Sequence, residues 1–142
     1  PPPPPPPPPP PHPPPPPPPP TPPPPPPSRT DCLFCKIRDG EIPCDKVYED
    51  DDVLAFRDVN PQAPTHVLII PKKHIATIND LESADVELAG RMTLLAKQIA
   101  ADEGINEEGY RLVFNCNEGA GQAVFHIHMH LLGGRRLSWP PG

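Results

Sequence analysis

The sequence predicts an α+β domain: one five-stranded, mainly antiparallel sheet with one long helix and one short one. Three observations predict it. Five short apolar runs are bounded by turn residues. Only one stretch, residues 83–103, keeps a helical period long enough to cross a sheet. The first 27 residues are proline except His12 and Thr21, so the foldable chain is residues 28–142, enough for one small domain.

The proline segment has no aliphatic side chains and almost no backbone N–H donors, so it builds no core. Its physical form is a polyproline II rod, roughly 80 Å long at about 3.1 Å per residue. Such a rod fits an aromatic groove of the SH3, WW or EVH1 kind. The bland alternative is a low-complexity tail, a translated repeat or a cloning artefact. The composition favours the bland reading, because no charge inside the tract orients a partner and only Arg29 lies near.

The elements follow in order. Asp31 is the expected N-cap of a short helix over 32–38, with Phe34 and Ile37 one turn apart and Gly40 as the stop. Residues 46–49 (KVYE) and 53–58 (VLAFRD) read as strands joined by the acidic turn Asp50-Asp51-Asp52. The loop NPQAPT (60–65) leads into a third strand, HVLIIP (66–71). In 83–103, Leu88, Met92, Leu95 and Ile99 step by four, three and four, which makes one apolar stripe, and Gly104 ends it. YRLVFN (110–115) is the fourth strand and FHIHMHLL (125–132) the fifth. Only one connection holds a long helix, so the pairing is mainly antiparallel.

Composition narrows the function. The formal net charge is −6 and the pI about 5.4, which argues against a grip on a nucleic-acid backbone. A single nucleotide, held by a few placed donors, is not excluded. No apolar run approaches a membrane span. No basic segment precedes an apolar one at the start of the sequence, so no signal peptide is expected. Cys32, Cys35, Cys44 and Cys116 do not form a secreted disulfide pattern. Cys32 and Cys35 have Cys-x-x-Cys spacing, which in a reducing compartment suggests metal or redox chemistry. The expected location is cytoplasmic.

The fifth strand carries the chemistry. Alternate strand residues point to opposite faces, so His126, His128 and His130 share one face. Phe125, Ile127, Met129 and Leu131 share the other and can pack under the long helix. Three imidazoles on one face are tolerable when mostly neutral, hydrogen-bonded, or facing an anion or a metal. A metal comb is one use. An expression tag is excluded by the interleaved Ile and Met. A third use is phosphoryl chemistry, with neutral imidazole as nucleophile and its neighbours supplying hydrogen bonds and protons. The surroundings favour the third. Gly119 and Gly121 let backbone N–H groups approach a phosphate. Asn115 and Gln122 offer amide donors. Asp58, between Phe56 and Val59, suits a ribose diol beside a base.

These motifs resemble a known family. His126-Ile-His128-Met-His130-Leu-Leu132 fits the histidine-triad signature His-φ-His-φ-His-φ-φ, with φ apolar. DVNPQAPTHVLIIPKKH (58–74), GYRLVFN (109–115), HLLGGR (130–135) and WPPG (139–142) resemble the HINT branch of the histidine-triad (HIT) nucleotide-binding proteins. The resemblance spans residues 31–142. It implies a HIT-like fold whose sheets join across a homodimer, a purine nucleotide ligand, and hydrolysis of nucleoside phosphoramidates and acyl-adenylates with no cofactor required. It implies His128 as the nucleophile, His130 at the phosphate and leaving group, and His66 and His126 completing a relay. Asp58 would take the ribose hydroxyls, and Phe56 and Val59 would flank the base. Asn115, Gly121, Gln122 and the backbone around Ala123 and Val124 would hold the phosphate, and Trp139 would reach toward the partner subunit's site. Ala123 departs from the branch, where a serine hydroxyl is common at that position. Relatives of the bacterial type also imply a structural zinc on Cys32, Cys35, His74 and His126. The bland reading of both cysteines is small buried apolar residues.

Two other functions compete. A dinucleoside polyphosphate hydrolase or nucleotidyl transferase would use the same histidine. The transferase branch carries His-Pro-His, against Ile127 here, and the polyphosphate branch lacks WPPG. A non-catalytic nucleotide-sensing scaffold recruited by the proline rod is the reading from another class. Lys72 and Lys73 read as a solvated strand end and Asp50–Asp52 as a turn.

Overall fold

The computed structural model describes residues 1–21 and 31–142; the expected boundary between tail and domain at 27/28 lies outside the described residues. Residues 1–21 are exposed and carry no helix or strand. The domain runs α1 (Leu33–Arg38), β1 (Lys46–Glu49), β2 (Val53–Arg57), β3 (Thr65–Pro71), α2 (Val86–Asp102), β4 (Tyr110–Phe114) and β5 (Met129–Gly133). The strands form one sheet in the order β1-β2-β3-β5-β4, and every neighbouring pair is antiparallel.

The sheet separates two apolar layers. Val53, Ala55, Val67, Ile69, Met129 and Leu131 meet Met92, Ala96, Ile99 and Ala100 of α2 on one face. Leu88 and Leu95 complete the expected stripe at its half-buried margin. Gly104, with φ of +73°, ends the helix in the left-handed region that glycine enters without steric cost. On the opposite face Leu54, Phe56, Leu68 and Ile70 meet Cys32, Phe34 and Cys35 of the α1 segment. α2 therefore covers one face, and α1 covers part of the other.

Three expectations need correction. The N-cap of α1 is Cys32, not Asp31: its sulfur accepts the Cys35 N–H at 3.3 Å. α2 starts at Val86, because residues 83–85 form a separate 3-10 turn. β5 starts at Met129, four residues later than expected. The reason lies across the ladder. Ile69 pairs with Met129, and two residues on β3 ends at Pro71, which has no N–H to donate. The preceding segment bonds elsewhere, with Ile127 N–H donating to Ile75 O at 2.7 Å. The alternation survives in part. Ile127, Met129 and Leu131 enter the α2-facing core, while Phe125 stands outside it. No helix among the described residues is long and apolar enough to cross a membrane.

Candidate active site and metal cluster

Two groups of side chains lie on the α1 face. A cleft of about 460 Å³ is lined by His128 and His130 together with apolar side chains. Phe56, Asp58, Val59, Asn115, Gly121, Ala123 and Val124 line it, as the sequence suggested. One expected member does not. Gln122 is buried, and its amide is fully committed: Oε1 accepts the Asn117 N–H of its own loop, and Nε2 donates to Val124 O and to Ala76 O. It shapes the loop but brings no side-chain donor to the cleft. Trp139, which the resemblance sends toward a partner subunit's site, is 82% exposed and lies outside this chain's own cleft. His126, expected both in the relay and among the possible metal ligands, is fully buried with the latter and does not line the cleft.

Hydrogen bonds assign the ring protons in the cleft. His128 Nδ1–H donates to the carbonyl oxygen of His126 at 2.8 Å. That leaves the lone pair on Nε2. The Gln62 N–H donates to His66 Nδ1 at 3.0 Å, so neutral His66 carries its proton on Nε2. This N–H faces His130 Nδ1 at 2.9 Å and the Asp58 carboxylate at 3.4 Å. His130 accepts on Nδ1 and therefore bears its own proton on Nε2. One lone pair and one N–H donor thus sit side by side, on rings 5.0 Å apart. Asp58 is placed by its backbone N–H to His66 O at 3.0 Å, just past the end of β2.

Electrostatics keep these rings neutral. Burial pushes His130 down to about 4, helped by His128 and His66 and opposed by Asp58. Burial also lowers His66, against the pull of Asp58. His128 is lowered by burial, with its bond to the His126 carbonyl and Asp58 pulling the other way. Neutral imidazole is the nucleophilic form.

The other cluster is Cys32, Cys35, His74 and His126, whose donor atoms all lie within 4.8 Å of one another. His74 Nδ1 and His126 Nδ1 are 3.2 Å apart. Cys35 Sγ lies 3.2 Å from His74 Nδ1 and 3.5 Å from His126 Nδ1, and Cys32 Sγ lies 3.4 Å from His126 Nδ1. A tetrahedral ion with thiolates at about 2.3 Å and imidazoles at about 2.0 Å has N–N edges near 3.3 Å and S–N edges near 3.5 Å. The observed spacings match. His126 Nε2–H also donates to Pro71 O at 2.7 Å, so its lone pair faces the centre of the cluster. The four side chains could hold a metal ion. Asp58, His66 and His130 are equally close together, but there the Gln62 N–H already occupies His66 Nδ1, so Nε2 offers a proton and not a lone pair.

The geometry can be set beside known proteins. The HIT domain family matches residues 39–137. The chain belongs to the HIT family. It is 57% identical over 105 residues to a purine nucleoside phosphoramidase of Escherichia coli (strain K12), covering 74% of this chain and 88% of that one. Among solved structures it is similar to a HIT family hydrolase from Legionella pneumophila Philadelphia 1, at 63% identity and a TM-score of 0.78, covering 79% of this chain and all of that one. A histidine triad protein from Clostridium difficile follows at 44% identity and a TM-score of 0.75, covering 78% and 96%. This HIT protein is a hydrolase with the five-stranded fold of its relatives.

Sequence reading missed much of the apolar lining of the cleft. Leu33, Ile37, Ile42, Pro43, Cys44 and Leu68 line it. The Phe34–Ile37 pair signalled an apolar face on α1, but only the tertiary fold turns that face toward β2.

Proposed function

We propose that this HIT protein cleaves the P–N bond of purine nucleoside 5′-phosphoramidates, with related acyl-adenylates as further substrates. The observation that carries the reading is the tautomer pair in the cleft: His128 offers an Nε2 lone pair beside the Nε2–H of His130. The 57% identity to a purine nucleoside phosphoramidase supports the substrate class.

His128 Nε2 attacks the α-phosphorus, a bond forms to nitrogen, and the P–N bond to the leaving amine breaks. The departing nitrogen takes a proton delivered through His130. Water then attacks the nucleotidyl-histidine, releases the nucleoside monophosphate and returns the borrowed proton. Asp58 takes the ribose hydroxyls, while Phe56 and Val59 flank the base. The phosphate sits against Asn115 and the backbone of Gly121, Ala123 and Val124. Gly121, at φ of +87°, gives that loop a turn that side chains resist.

Zinc is the ion proposed for Cys32, Cys35, His74 and His126, because two thiolates and two imidazoles in a tetrahedral array suit it. It fills all four positions and has no open site for chemistry. Two copies of the chain pair through β4, an edge strand with Phe114 37% exposed. Trp139 then reaches the partner's cleft.

The test is turnover of adenosine 5′-phosphoramidate by the wild type and His128→Ala. The wild type is expected to release AMP, and the variant to lose at least about 10³-fold in rate. Equal rates overturn the reading.

A further inference from the structure

The metal cluster and the nucleotide cleft are built on the same two pieces of chain. The first is α1. Cys32 caps it and Cys35 lies in its first turn. Between them Leu33 and Phe34 line the cleft, and Ile37 follows one turn on. The Phe34 ring stands edge-on to His128 at 4.9 Å and to Phe56 at 5.6 Å. Six residues are too few for a helix to persist on its own. The C-terminal end of α1 is tied by Arg38 to the Lys72 carbonyl at 2.7 Å. Its N-terminal end, which carries Phe34, is tied through the cysteines.

The second shared piece is His126. Its ring faces the cluster, and its carbonyl accepts the N–H that fixes the tautomer of His128. Ring and carbonyl share one Cα, so an ion on the ring would add to the hold that the Ile127 N–H bond to Ile75 O at 2.7 Å already gives this peptide. One ion at the cluster would hold the apolar wall and the nucleophile at once.

We infer that Cys32, Cys35, His74 and His126 are positioning residues for the cleft: metal bound by them sets the Phe34 wall and the Nδ1–H tautomer of His128, beyond stabilising the fold. The nucleotide arm of this inference rests on the proposed function; the tautomer arm does not.

The experiment compares the full chain loaded with Zn²⁺ and the same chain stripped by a chelator. It is run at a temperature where far-ultraviolet circular dichroism shows both to be folded. AMP affinity is read by calorimetry, and the His128 ring by its ¹⁵N shifts. Stripping is expected to weaken AMP binding about tenfold or more. It is also expected to turn the single Nδ1–H tautomer of His128 into a mixture, and added Zn²⁺ should restore both. A lower melting temperature with unchanged AMP affinity and unchanged ring shifts would reduce the cluster to a structural role and overturn the inference. Failure to take up Zn²⁺ overturns it too. If the loaded chain does not bind AMP, the nucleotide reading falls and the ring shifts alone decide positioning. Should stripping unfold the chain, His74→Ala keeps three ligands and replaces it. The same two losses are then expected at smaller size, and unchanged values again overturn the inference.

Discussion

Two histidine groups sit within a few residues of each other, and their chemistry differs completely. His126 and His130 belong to one short run, yet one joins the four side chains that could hold a metal and the other ends a chain of hydrogen bonds. Both are buried enough that their pKa values fall to about 4. Burial alone therefore does not separate them. The separation comes from the far side of a ring. His126 gives its Nε2 proton to the Pro71 carbonyl and turns a lone pair inward. His66 takes the Gln62 N–H on Nδ1 and turns a proton toward His130. A single backbone group, a carbonyl in one case and an N–H in the other, decides between a lone pair free for a metal and a hydrogen-bond donor.

The sharpest way to break this comparison is a pair of substitutions, one in each group. His130→Ala should lower phosphoramidate turnover by about 10²–10⁴-fold, as loss of a proton-transfer group does. Its zinc content should match the wild type. Cys35→Ser should lose zinc affinity by about 10–100-fold or more, and its melting temperature should fall. Its kcat should fall far less than that of His130→Ala. Turnover assays and metal analysis on both variants check the pattern. If His130→Ala also empties the cluster, the two groups are one network and the comparison fails.

A smaller effect is expected in the pH dependence of stability. The folded chain holds His130 at about 4, below the ordinary 6.5 of the unfolded chain, and His66 is lowered as well. From pH 6.5 downward the unfolded chain takes up these protons first. The stability present above pH 6.5 is therefore lost as pH falls toward about 4. Urea midpoints measured from pH 7 to 4 should drop, and His130→Asn should flatten the slope. A slope unchanged by His130→Asn assigns the acid sensitivity to other groups.

How much of this was legible in the sequence depends on the range of the interactions involved. The α2 stripe and the strands over 46–71 are local patterns, and they appear within a residue or two of where periodicity and turn residues set them. The split of the histidine run from Ile127, Met129 and Leu131 is also local. The start of β5 was not legible, because it depends on Pro71 across the ladder. The role of Gln122 was not either: Asn117 and Val124 are local partners of its amide, but Ala76 becomes a neighbour only in three dimensions. The cap of α1 was misassigned for a chemical reason. An aspartate is the stronger N-cap by propensity, but Cys32 is the residue that the buried cluster draws into the capping position. Cys44 lines the cleft, and a thiol between Pro43 and Asp45 carries no local sign of what it faces.

The smallest expected effect tests the proton-chain side alone. Ala123 lines the cleft on the same loop as Gly121 and offers no side-chain hydrogen bond. In the proposed reaction the leaving group then depends on His130 for its donor. Ala123→Ser adds one hydroxyl without touching Cys32, Cys35, His74 or His126. One hydrogen bond realised at the transition state contributes about 1 kcal/mol, so kcat/KM for adenosine 5′-phosphoramidate should rise by up to about tenfold. The gain should be larger for alkylamine leaving groups than for acyl-adenylates, because a carboxylate departs without a proton and an amine does not. Zinc content and melting temperature should stay where they are. An equal gain for both leaving groups would mean that the hydroxyl holds the phosphate, and would move the donor's role from the departing nitrogen to the transferred group.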